Sequence, residues 1–155
     1  RKAIARAKER NLCRMVIVNK IDHVPSAAEL ETLVEEIREA FGKECIPIEL
    51  PARDGRHVVD VLEHAEGDTA WGSAAAAHTA VLDQVVEVDE SLMESYLEAG
   101  DVPPEKLHDP FERALREQHL VPILFVAARP HASPEQPIGV KELLDYLVKF
   151  APCPT

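Results

Sequence analysis

Cysteine is scarce and unpaired in this chain: Cys13, Cys45 and Cys153 are its only three, far apart and odd in number. None of the spacings between them suits zinc, and reduced thiols are expected. The seven histidines include no H-x-x-x-H or comparable pair, so no metal site is expected either. No apolar run approaches the ~20 residues of a membrane-spanning helix. A secretory leader and an initiator Met are both missing, so the sequence reads as a cytoplasmic piece of something longer. Bases are also in the minority, 17 Lys and Arg against 28 Asp and Glu, for a formal net charge of −11. That balance disfavours direct contact with a nucleic-acid backbone and favours a basic partner or plain solubility.

What is present begins with M-V-I-V-N-K-I-D, Met15 to Asp22. Met15-Val16-Ile17-Val18 has the composition of a parallel strand buried on both faces. It stops at an amide, an ammonium and a carboxylate: Asn19, Lys20 and Asp22. In open α/β sheets, ligands sit at the carboxyl ends of strands. Guanine fits this trio best, because its N1–H and exocyclic amino group are adjacent donors that one carboxylate, Asp22, can accept together. Adenine would set a lone pair against that carboxylate. Unpaired polar groups of this kind cost roughly 1–3 kcal/mol each, and such sites reject the wrong ligand by about 10⁴-fold or more. Asn19 can reach the base's other edge or brace the loop, and the Lys20 stem can lie along the ring.

Further along, Ser26 and Glu29 form a capping signal for a helix whose stripe is Leu30, Leu33, Val34, Ile37, Ala40 and Phe41, stopped by Gly42. Ile46 to Leu50 and His57 to Ala65 are strand candidates, with Pro47 favouring an edge. Trp71 is expected as a small-core anchor. A helical segment from about Ala75 to Ala99 carries Asp89 within its apolar stripe, and a break capped by Asp89 is expected. Another helix should start at Pro103-Pro104 or Asp109-Pro110. Val121 to Val126 is a second buried strand, ending in Ala127-Ala128-Arg129. A Pro-bearing turn, Pro130 to Pro137, leads to a last helix, Val140 to Phe150, with Val140, Leu143, Leu144, Leu147 and Val148 as its expected buried face. Pro152 and Pro154 read as an exit.

In this order the elements resemble the second half of the G domain of translational GTPases, elongation factor G above all. Asn19-Lys20-Ile21-Asp22 is similar to the family's guanine-specificity motif. Val86 to Gly100, V-E-V-D-E-S-L-M-E-S-Y-L-E-A-G, resembles its acidic helix, and G-V-K-E-L-L-D-Y-L-V-K-F-A-P-C-P its closing helix. Ile46 to Pro51 and Val58 to Leu62 are looser matches to its insert strands. The resemblance implies an α/β fold, a partial P-loop GTPase-type parallel sheet over residues 1–44 and 120–155, with an inserted α+β subdomain over 45–119. It implies GTP or GDP bound by Asn19, Lys20, Asp22, Ala127, Ala128 and Arg129, with Mg²⁺ held only by the full-length parent. It also implies the ribosome as partner, with the inserted lobe meeting the basic stalk protein through Glu87, Glu90, Glu94 and Glu98.

Departures from the pattern are informative. Ala127-Ala128 stands where the family has Ser-Ala, losing a hydroxyl, and the insert is short, as in a paralogue. No G-x-x-x-x-G-K-[ST] loop or D-x-x-G motif occurs, so these residues alone are not expected to cradle phosphates or hydrolyse GTP. A second reading from a different class is a protein-interaction module with a vestigial nucleotide loop and an acidic docking helix.

Overall fold

The computed structural model describes residues 2–128 and 136–151. Arg129, most of the turn from Pro130 to Pro137, Cys153 and the closing prolines, all singled out above, lie outside the described residues.

The chain runs α1 (Lys2–Glu9), β1 (Val16–Asn19), a single 3₁₀ turn (Ile21–His23), α2 (Ala27–Phe41), β2 (Cys45–Pro47), β3 (Glu49–Pro51), β4 (Val58–Asp60), α3 (Ala74–Val86), α4 (Glu90–Ala99), α5 (Pro104–Arg116), β5 (Val121–Val126) and α6 (Val140–Phe150). One parallel sheet has the order β1-β5-β2, and β3 and β4 form an antiparallel pair. All six residues of β5 are buried, as its apolar run and central place require. Val16 to Asn19 lie opposite Ile123 to Val126, so both strands end together.

Side chains alternating along β5 divide the interior in two. Val121, Ile123, Phe125 and Ala127 join Leu30, Val34 and Ile37 of α2, together with Leu50 and Val58 of the β3–β4 pair. Leu124, with Leu120 just before the strand, faces the other way and meets α3, α5 and the Tyr146 and Phe150 of α6. Helices therefore cover both faces of the sheet, the α/β arrangement expected from the sequence.

Local signals account for most boundaries. The Ser26 hydroxyl accepts from the Glu29 N–H at 3.3 Å at the start of α2, and Gly42 closes that helix at φ +124°. Asp89 does break the long helix: its carboxylate accepts from the Leu92 N–H at 3.0 Å and caps α4. Trp71 packs edge-on against Phe125, with ring centres 5.6 Å apart.

Four expectations need correction. The Ile46–Leu50 strand is two strands in different sheets. Ile48 is the switch, donating to the Ile123 carbonyl at 3.2 Å while its own carbonyl accepts from the Val61 N–H at 3.0 Å. Consequently β2 pairs in parallel with β5, and Ile46 shares one core with α3, α5 and α6. Residues after 44 thus complete the sheet and lie against it, where a separate lobe over 45–119 was expected. The His57–Ala65 strand stops at Asp60, whose carboxylate accepts from the N–H groups of Leu62 (2.7 Å) and Glu63 (3.1 Å) and turns the chain. β1 is at the end of the described sheet, so Val18 is buried while Ile17 on the opposite face is 45% exposed. Finally, α6 buries Tyr146 and Phe150, one turn apart and both edge-on to Phe111 of α5. This rotates Leu144 and Val148 outward, to 56% and 89% exposure.

Candidate functional site

Because β1 and β5 are in register, their polar exits fall side by side. Asn19 is the last residue of β1, opposite Val126. Its Oδ1 accepts from the Lys20 N–H at 2.8 Å and from the Ala128 N–H at 3.4 Å. One side chain thus fastens both loops to each other. Lys20 follows with φ +63°, a left-handed conformation uncommon for a residue with a Cβ. That kink lets Ile21 drop into the core while the chain winds into the 3₁₀ turn carrying Asp22. The Asp22 side chain is mostly buried and its Oδ2 lies 3.6 Å from His23 Nε2.

The second loop is held just as tightly. Ala127 is buried and exchanges two backbone hydrogen bonds with Ile138, at 2.9 and 3.0 Å. Gly139 comes next at φ +68°, where an added Cβ would stand 2.1 Å from the Phe125 carbonyl oxygen. Ala128 is exposed at the rim.

The structure therefore brings Asn19 and Ala128 into contact, with Lys20 and Ala127 as their chain neighbours. Asp22 lies in the adjoining turn. It also lines a cavity of about 500 Å³ with Pro25, Leu30, Ile138 and the turn from Ala52 to His57. Among the five described residues of the predicted set, Asp22 alone lines this cavity. The bracing role weighed for Asn19 is the one its contacts show. Sequence reasoning did not single out Ile138 and Gly139, which pin the second loop. Gly139, two residues after Pro137 and directly before a helical stripe, was the available signal.

Glu87, Glu90, Glu94 and Glu98 are all exposed, on and just before α4. Two other acids of that stretch are engaged within the fold: Asp89 caps α4 and lies 3.4 Å from Arg113, and Asp101 lies 3.3 Å from His78. Among the described residues, no helix is long and apolar enough to cross a membrane.

A parallel α/β sheet with its polar residues gathered at the carboxyl ends of two neighbouring strands defines a ligand-binding domain of the nucleotide-binding class. The family model described as the elongation factor Tu GTP binding domain matches residues 1–153, and the chain belongs to that family. It is elongation factor G-like. The chain is 28% identical over 161 residues to elongation factor G 1 of Treponema denticola, spanning 91% of this chain and 22% of that protein. It is 27% identical over 167 residues to elongation factor G of Fervidobacterium nodosum, spanning 96% of this chain and 23% of that protein. A crystal structure of a Thermus thermophilus protein, titled only by the label ttk003000868, aligns with a TM-score of 0.75 and 29% identity, over 99% of this chain and 24% of the other. The chain thus spans under a quarter of the length of these relatives.

Proposed function

We propose that this chain is the base-reading side of the guanine-nucleotide site in an elongation factor G-like translational GTPase. Asp22 would accept the two donors of guanine, Lys20 would cover the ring, and the loop of Ala127, Ala128 and Arg129 would close the other side. The observation that carries this reading is the double acceptance by Asn19 Oδ1, which couples the loop bearing Lys20 and Asp22 to the loop bearing Ala128. With its hydrogen engaged by Asn19, the Ala128 N–H serves this site through the brace.

On this reading the chemistry of hydrolysis, and the Mg²⁺ that neutralises phosphate charge, belong to residues outside this chain, and the ribosome and a cytoplasmic setting belong to the whole protein. Residues 45–119 are an insertion in sequence that packs back onto the sheet. The exposed acids Glu87, Glu90, Glu94 and Glu98, with no Lys or Arg among residues 87–101, favour a basic protein partner such as the ribosomal stalk. Such complementarity chiefly raises encounter rates and fades with salt. The same face supports the second reading, an interaction module with an unused nucleotide loop. Titration of the protein with GDP and with ADP separates the two. Selective GDP binding is expected, and equal or absent binding of both would leave the interaction module.

A further inference from the structure

A second cavity, of about 290 Å³, lies between the β3–β4 pair and α6. Asn19, Lys20, Asp22, Ala127 and Ala128 do not line it. Its walls include Leu62, Leu124, Tyr146 and Phe150, apolar surfaces contributed by β5, α6 and the segment after β4. Glu49 of β3 also lines it and is 4% exposed. One Glu49 oxygen, Oε1, accepts from the Phe125 N–H at 2.8 Å. The other has no partner among the described residues.

The groups around Glu49 are mostly acids. Asp60 comes from β4, Glu63 from the segment after it, and Glu142 and Asp145 from α6, with Lys149 as the single base of the lining. Lys149 is already committed to Glu63. Asp145 accepts from Lys141 at 2.7 Å, and Asp60 caps the turn at Leu62 and Glu63. Glu49 and Glu142 remain without a cation. A carboxylate held in an apolar cleft and ringed by like charge is costly to ionise unless a cation joins it. Accordingly its proton is held up to about pH 8 by burial, with Glu142 and Asp60 adding to the effect.

We propose that this cavity binds a primary ammonium on an alkyl stem, the head on the free oxygen of Glu49 and the stem against Leu62, Leu124, Tyr146 and Phe150. The apolar walls suit a methylene chain, whereas a hydrated metal ion would find one buried oxygen there. A free diamine and a lysine side chain of a partner protein share this chemistry, and the test separates them.

The test follows the Phe125 amide resonance, whose hydrogen bond ends on Glu49, while the protein is titrated with cadaverine, with Nα-acetyl-lysine methylamide and with neutral 1-pentanol. Saturable binding at one site is expected for the amines and none for the alcohol. Tighter cadaverine indicates a free diamine, and tighter lysine amide a partner's side chain. Because the amine needs the ionised carboxylate, affinity should rise about tenfold or more between about pH 6.5 and about pH 8.5. Glu49→Gln should weaken binding at least about tenfold. Glu142→Gln, at the mouth, should weaken it less and leave the melting curve in place. Pentanol binding as well as the amines, or an affinity unchanged by Glu49→Gln, overturns the proposal. If Glu49→Gln fails to fold, a wild-type affinity that stays flat with pH overturns it alone.

Discussion

The side-chain oxygen of Asn19 lies 2.8 Å from the Lys20 nitrogen and 3.4 Å from the Ala128 nitrogen, so the ends of two parallel strands share one acceptor. Removing that acceptor leaves two backbone donors to find water. Asn19→Ala should cost stability only on the order of 1 kcal/mol, because both donors are near solvent. Its effect on guanine-nucleotide binding should be larger, a loss of about tenfold or more, since a preorganised loop becomes two loose ones. A GDP titration beside a denaturant melt measures both. Equal affinity in wild type and variant would remove Asn19 from the site.

Gly139 should be intolerant of any side chain. With φ at +68° and a Cβ position 2.1 Å from the Phe125 carbonyl oxygen, Gly139→Ala must push α6 away from β5 or distort the backbone. A destabilisation of at least about 1–3 kcal/mol is expected. Chemical denaturation reads it directly, and a neutral Gly139→Ala would mean that α6 joins β5 differently.

Glu49 makes stability depend on pH with a definite sign. Its carboxyl is raised from 4.5 to about 8 by burial, so the folded state keeps a proton that the unfolded state has already released. The contribution is complete below about pH 4.5 and declines as pH rises to about 8. The full span corresponds to a few kcal/mol, at about 1.4 kcal/mol per pH unit. Glu49→Gln keeps an oxygen for the Phe125 N–H but cannot ionise, so its stability should lose this decline. Parallel pH profiles for wild type and Glu49→Gln would show that Glu49 is not the group responsible.

Much of this was legible in the sequence where the signal is local. The polar exit of β1, the cap at Ser26, the break at Asp89 and the buried run of β5 each depend on residues within a few positions of one another. What could not be read depends on distant partners. Three residues of β2 are a strand because Val121 to Ile123 lie beside them, and nothing within I-P-I-E-L-P marks Ile48 as the crossing point. Glu49 occupies a polar slot of an alternating stretch, yet its acceptor role was set by an N–H on another strand. In α6 the aliphatic stripe suggested one buried face, but two aromatics one turn apart filled the space against Phe111 and reversed it.

The central claim is that Asp22 reads guanine. Asp22→Asn replaces an acceptor for two donors with a group that can donate to the extra carbonyl of xanthine. Competition between GDP and xanthosine diphosphate for the protein, wild type against Asp22→Asn, measures this most directly. The account predicts that the variant loses GDP preference and gains xanthosine diphosphate, whereas a variant that still prefers GDP as wild type does would contradict it.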